Sequence, residues 1–187
     1  MCTAMKYLFI IASVFGSIGF ADPSEADCPE NIAIEADLDR AYDRLKFSKF
    51  ASDADLVTGQ LWALWTQAPD QKSQMLLSSG LLNIKRGNLK LAEKVLSELI
   101  TYCPNYAEGY NQRAFARYLD LNFEKALFDL QDALNLRPRH LGALSGKALT
   151  HVALGQEVEA QIELRKALAL NPFMPEREMI KDLGTDL

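Results

Sequence analysis

The sequence predicts an all-α protein, built as a solenoid of stacked helical hairpins, and a repeat of 34 residues is the main observation behind this prediction. Three consecutive blocks, 73–106, 107–140 and 141–174, align without a gap. One helical hairpin cannot bury its own apolar face, so hairpins that recur at a fixed period are expected to stack and share a core. The composition, 49% apolar and 24% charged, is ordinary for a globular chain. Each block has alanine at its twentieth position, leucine at its twenty-fourth and proline at its thirty-second, and these residues are Ala92, Ala126 and Ala160; Leu96, Leu130 and Leu164; Pro104, Pro138 and Pro172.

Residues 1–21 are predicted to be a secretory signal peptide. Lys6 is the only charge among them, the apolar run 7–20 follows, and Gly19 and Ala21 place small residues just before Asp22. We therefore expect an exported protein, in the periplasm or secreted, without stable membrane insertion after cleavage. The alternative is an uncleaved membrane anchor, although the run is shorter than the roughly 20 residues that cross a bilayer.

Two cysteines, Cys28 and Cys103, remain after cleavage before Asp22. In an exported protein they can form a disulfide that ties the N-terminal arm to a distant position. The alternatives are two unrelated thiols, or a Cys103 that is simply a small buried residue.

Residues 22–72 are predicted to form an N-terminal arm followed by a degenerate helical repeat that caps the array. Apolar residues recur at helical spacing within 32–50, and a second helix is expected to begin at the N-cap pair Ser52 and Asp53 and to end at Pro69. This cap is expected to cover the face that the first block would otherwise expose.

Each 34-residue block contains two helical stretches of about fourteen residues, such as 73–86 and 89–102 in the first block. Gly87 and Gly155 lie where the first helix ends, and in the middle block Leu121 holds that position and is followed by Asn122, which can also cap a helix. Residues 175–187 are predicted to form a C-terminal cap, a short helix from Pro175 to about Leu183 with Met179 and Ile180 packed inward. Small residues at the eighth position let the paired helices approach, and they are Gly80, Ala114 and Ala148.

The small, leucine and proline positions resemble the tetratricopeptide repeat (TPR) family through all three blocks. More narrowly, the segments 110–114 and 137–146 resemble small exported proteobacterial TPR proteins of unassigned activity. The resemblance implies a right-handed α-solenoid of three TPR units, at 73–106, 107–140 and 141–174. The chain departs from the family pattern at positions seven and eleven, which hold Ser79, Arg113 and Lys147, and Asn83, Arg117 and His151.

Catalytic motifs are missing from the sequence. His140 and His151 lie eleven residues apart without a metal-ligand spacing, and 142–146 lies in a predicted helix, where a nucleophile elbow cannot form. We therefore expect no enzyme activity, no metal and no cofactor. The net charge of −5 argues against nucleic acid as a partner.

The family resemblance implies a concave groove lined by the first helices, which suits an extended peptide or an amphipathic helix of a protein partner. Asn111 and Gln112 are expected to bond the partner's backbone. Positions at which some family members grip a C-terminal carboxylate hold Leu77, Leu81, Gly142 and Gly146, so a chaperone-tail partner is not expected. Inter-repeat packing is the alternative for Leu81, Phe115 and Leu149. The groove residues are Leu77, Leu81, Ile84, Asn111, Gln112, Phe115, Tyr118, Leu149 and Val152.

Two further interpretations stay open. Arg113, Arg117 and Lys147 line up either to bind an acidic or phosphate-bearing partner or, as we favour, to pair with acids on neighbouring second helices. The alternative to a scaffold is a structural envelope protein that self-associates into a homo-oligomer, through Trp62, Trp65 or the open end of the solenoid, without a separate ligand.

Overall fold

The computed structural model describes residues 28–29 and 34–181, and within these ranges it contains helices and no strand. The predicted signal peptide, 1–21, lies outside the described residues. In chain order the helices are α1 Glu35–Lys46, α2 Ala51–Trp65, α3 Gln71–Lys85, α4 Leu89–Tyr102, α5 Ala107–Leu119, α6 Phe123–Leu136, α7 Leu141–Ala153 and α8 Glu157–Leu170, followed by a 3-10 helix, Pro175–Met179.

Helices α3 to α8 form stacked hairpins, which makes the protein an all-α helical solenoid as predicted. Each of these helices packs on the next one along the chain, and the first helices α3, α5 and α7 also lie side by side. The alanines and leucines that define the period are buried in the core. A Cβ atom at Gly80 would lie 2.6 Å from the Leu96 side chain, so α3 and α4 approach closely at the predicted small position.

The turn between paired helices is closed in the same way in all three hairpins. Gly87, Leu121 and Gly155 have positive φ angles of 75°, 59° and 70°. The next residue then donates its amide N–H to a carbonyl five residues back, as Asn122 does to Arg117 at 2.8 Å. In the middle hairpin Leu121, and not Asn122, takes the left-handed conformation, because it holds the position equivalent to the two glycines.

The N-terminal hairpin, α1 and α2, differs in detail from the prediction. Helix α1 ends at Lys46 rather than near residue 50, and the extended backbone of Phe50 starts α2. The predicted N-cap at Ser52 and Asp53 is therefore wrong, since both residues lie inside the first turn of α2. Helix α2 ends at Trp65, four residues ahead of Pro69, which has no N–H to bond the Trp65 carbonyl and so cannot continue the helix.

The N-terminal hairpin packs on the inter-repeat segments, 103–106, 137–140 and 171–174, and does not cap the face of α3. The Tyr42 hydroxyl donates to the backbone oxygen of Arg139, and Asn171 donates to the Thr58 hydroxyl at 3.2 Å. Burial raises the pKa of Tyr42 above its ordinary range. Carbonyls and rings of these segments, such as the Arg139 carbonyl and the His140 imidazole, make the specific contacts that hold α1 and α2.

The C-terminal segment covers the open end of the last hairpin. The Gln161 side chain donates to the Met179 carbonyl at 2.9 Å and accepts the Lys181 amide N–H at 3.0 Å. The 3-10 helix ends at Met179 and the backbone of Ile180 is extended, so the predicted continuous helix is wrong from Ile180 onward, and Ile180 is exposed instead of packed inward. The predicted end near Leu183 lies outside the described residues.

Candidate functional site

Six of the predicted groove residues form two rows of exposed or half-buried apolar side chains across α3, α5 and α7. Because the three first helices lie side by side, equivalent repeat positions form rows. Phe115 is 48% exposed, and Val152 is also exposed at the edge of the same surface. We call this surface the distal face, and its residues are Leu81, Ile84, Phe115, Tyr118, Leu149 and Val152.

The structure does not bring the other three predicted groove residues to this surface. Leu77 is fully buried in the core beside α4. Asn111 and Gln112 are buried and donate to the Glu108 carboxylate at 3.2 Å and 2.5 Å. Their burial and their hydrogen bonds to Glu108 argue against the expectation that they bond an incoming backbone.

Glu108 and His140 form a buried polar pair, and each is 1% exposed. The His140 Nδ1 atom accepts the Ala143 amide N–H at 3.2 Å, which leaves Nε2 to donate to Glu108 at 2.8 Å. The imidazole stacks on Trp65 with the ring centroids 4.2 Å apart. Sequence reasoning placed His140 in a turn but missed these contacts, because Glu108 and Trp65 are both distant from His140 in sequence.

The basic line of Arg113, Arg117 and Lys147 is neutralised by acids on second helices, which confirms the favoured interpretation. Arg113 makes two hydrogen bonds to Asp129, at 2.7 Å and 3.0 Å, and Arg117 reaches the same carboxylate at 2.7 Å. Arg117 also pairs with Glu93, and Lys147 with Glu163. These three basic side chains are therefore already paired within the fold.

A disulfide joins Cys28 to Cys103, whose Cα atoms lie 5.0 Å apart. It ties the arm before α1 to the end of α4. A cavity of about 770 Å³ lies beside it, between the N-terminal hairpin and the inter-repeat segments. Arg137 in its wall pairs with Glu35, and the hydroxyl of Tyr106 donates to the Trp65 carbonyl at 2.7 Å, so the cavity's main polar groups are occupied.

No three His, Cys, Asp or Glu side chains among the described residues cluster as a metal site would require. Within residues 28–29 and 34–181, no helix has both the length and the apolar character needed to cross a membrane.

Comparisons with known proteins place these features in context. No protein-family model matches the chain. It is 30% identical over 111 residues to a TPR repeat-containing protein of Rhizobium etli, covering 59% of this chain and only 54% of that relative. The chain thus spans about half the length of the relative it matches.

Two examples illustrate the similarity of the chain to solved structures. The TPR2B domain of yeast Sti1, in its pHsp70 complex, is 25% identical with a TM-score of 0.53, covering 54% of this chain and 81% of that one. The first TPR of Spaghetti (RPAP3), bound to the HSP90 peptide SRMEEVD, is 24% identical with a TM-score of 0.57, covering 58% and 86%. The similarity is one of fold, an all-α stack of helical hairpins.

Proposed function

Since the chain is a tetratricopeptide-repeat protein, we propose that it is a non-enzymatic scaffold that binds a segment of a protein partner on the distal face. The observation that carries the proposal is the exposure of Phe115 at the centre of that face, flanked by apolar side chains of α3 and α7. Leu81, Ile84 and Tyr118 also pack against the core, so Phe115 and Val152 are the residues of this face that offer the most free apolar surface.

An amphipathic helix fits the distal face better than an extended peptide. Extended peptides are held largely by bonds to their backbone, and Asn111 and Gln112, which lie nearby on α5, are already paired with Glu108. An amphipathic helix instead places apolar side chains into a groove at a spacing of three or four residues. The pHsp70 complex of the yeast Sti1 TPR2B domain supports binding of a protein partner as the kind of activity.

The test compares two exposed phenylalanines. A partner captured with the wild-type protein is purified, and its affinity is measured by calorimetry for Phe115→Ser and for the matched control Phe128→Ser on the outer side of α6. We expect Phe115→Ser to cost about 2 kcal/mol of binding free energy, whereas the control binds normally. Equal affinities for both variants, with unchanged circular dichroism, would place the binding site elsewhere.

Export to the periplasm is part of the proposal. The Cys28–Cys103 disulfide supports it, because such bonds persist in oxidising compartments. N-terminal sequencing of the exported protein should begin at Asp22, and a retained Lys6 in a membrane fraction would contradict cleavage.

The second candidate, a self-associating structural protein, has less support. Trp65 is buried against His140 and is unavailable to another copy, which leaves Trp62 as the exposed tryptophan. Light scattering during size-exclusion chromatography distinguishes the two, since the scaffold is expected to stay monomeric over a hundredfold range of concentration.

A further inference from the structure

The side of α3 that faces away from the array carries large apolar residues without a packing partner in the described chain. In the second and third blocks, positions three and ten hold Gly109, Ala116, Ala143 and Thr150, which are buried. A Cβ atom at Gly109 would lie 3.3 Å from Ile100 on the preceding second helix. In the first block these positions are Met75 and Leu82, which are 66% and 45% exposed.

The same face of α3 is bordered by basic side chains. Helix α3 contains Lys72 and Lys85 and no acidic residue, and Arg86 follows it. Lys85 and Arg86 are exposed and form no ion pair with any described residue. Asp70, just before the helix, is already bonded to Ser73 at 2.8 Å and to Tyr102 at 2.5 Å. We call Lys72, Met75, Leu82, Lys85 and Arg86 the α3 end face.

We propose that the α3 end face binds an acidic amphipathic helix of another protein, which takes the place that a preceding second helix takes on α5 and α7. Met75 and Leu82 are seven residues apart, or about 10.5 Å along α3, so they lie on one side of it. The incoming helix presents apolar side chains to this pair and carboxylates to Lys85 and Arg86. This surface is separate from the distal face.

Charge and geometry argue against the other occupants. If two copies paired through α3, antiparallel helices would bring Lys72 of each copy towards Lys85 and Arg86 of the other, and parallel helices would bring Arg86 towards Arg86. Like charges at such distances oppose association. The N-terminal hairpin is not available, because Tyr42 and Trp65 hold it on the inter-repeat segments.

The experiment follows the methyl group of Met75 by NMR in the full chain labelled at the methionine methyl carbon. The probe is a 14-residue peptide with the sequence of α6, FEKALFDLQDALNL, because α6 packs in this way on α7. An isolated peptide of this length is only marginally helical, so millimolar concentrations are used. We expect Met75 to shift and Met174 and Met179, at the opposite end of the array, to stay in place.

Two charge variants test the electrostatic part. Lys85→Glu combined with Arg86→Glu is expected to weaken peptide binding about fivefold, which is about 1 kcal/mol for the two exposed ion pairs together. The matched control, Lys94→Glu with Lys125→Glu on exposed positions of α4 and α6, is expected to bind as the wild type does. Phe115→Ser is also expected to leave the Met75 shift unchanged, which separates this site from the distal face.

Several results would overturn the proposal. One is an unshifted Met75 at saturating peptide, and another is an equal shift with a peptide whose acidic residues are replaced by lysine. A Met75 signal that moves when the protein alone is diluted would assign the α3 end face to a second copy. A signal that differs between the full chain and residues 22–187 would assign it to the chain's own N-terminal segment.

Discussion

Replacing Asp129 by alanine is expected to destabilise the protein by about 3 kcal/mol. The carboxylate is 2% exposed and accepts three hydrogen bonds from Arg113 and Arg117, whose side chains are 15% and 14% exposed. Removing one partner of a buried ion pair leaves the remaining charge uncompensated, at a typical cost of about 3–5 kcal/mol. We expect the lower end of this range, because both arginines retain a partner in the variant. Arg117 still donates to Glu93 at 2.8 Å, and Arg113 still donates to the Ser97 hydroxyl at 3.1 Å.

Equilibrium urea unfolding measures this loss, and Asp132→Ala is the control. Asp132 lies on the same helix but is exposed, so its replacement is expected to change the free energy of unfolding by less than about 0.5 kcal/mol. Added salt is expected to leave the difference between the variants largely intact, since partly buried pairs are weakly screened. A difference of under about 1 kcal/mol would refute the claim that Asp129 anchors the network.

Three further changes test local features by the same urea assay. Cys28→Ser is expected to lower stability by about 4 kcal/mol, because the disulfide closes a loop spanning 75 residues, and an unaltered midpoint would contradict this. Leu121→Gly is expected to raise the free energy of unfolding by about 0.5–1 kcal/mol, since glycine adopts the positive φ at no steric cost, whereas Leu121→Ala should bring no gain. Asp70→Ala is expected to cost about 1 kcal/mol through loss of the N-terminal cap of α3. Burial raises the pKa of the Asp70 carboxyl, but hydrogen bonds from Tyr102 and Ser73 lower it below its ordinary value. The stabilisation is therefore present above the ordinary pKa of aspartate and is lost as the pH falls through the lowered value, so a cost that grows under acid would contradict it.

The repeated part of the fold was predictable from the sequence, because its determinants are local. The range of α4 matches the predicted 89–102, since the small and proline positions mark both the packing contact and the helix end. The ion pairing of Arg113 and Arg117 was also predictable, because the period aligns first and second helices. Asp70 was missed as the N-cap of α3, although Ser73 three residues later completes a capping box.

The position of the N-terminal hairpin was not predictable from local pattern. Its apolar spacing indicates helices, but it does not say whether they pack on α3 or on the inter-repeat segments. That choice depends on single contacts between distant residues, such as the stacking of Trp65 on His140. The same limit explains why the burial of Asn111 and Gln112 was not predicted. Their partner Glu108 is near in sequence, but their burial results from tertiary packing.

The placement of the N-terminal hairpin also changes how the array should unfold. In a linear array each unit touches only its neighbours, so the ends can fray independently. Here hydrogen bonds from Tyr42 to Arg139 and from Asn171 to Thr58 connect residues 97 and 113 positions apart. The N-terminal hairpin thus stabilises the last hairpin, and unfolding of either one is expected to destabilise the other. Melting should therefore be a single cooperative event, with equal calorimetric and van't Hoff enthalpies, and refolding should be slower than in a purely local helical array.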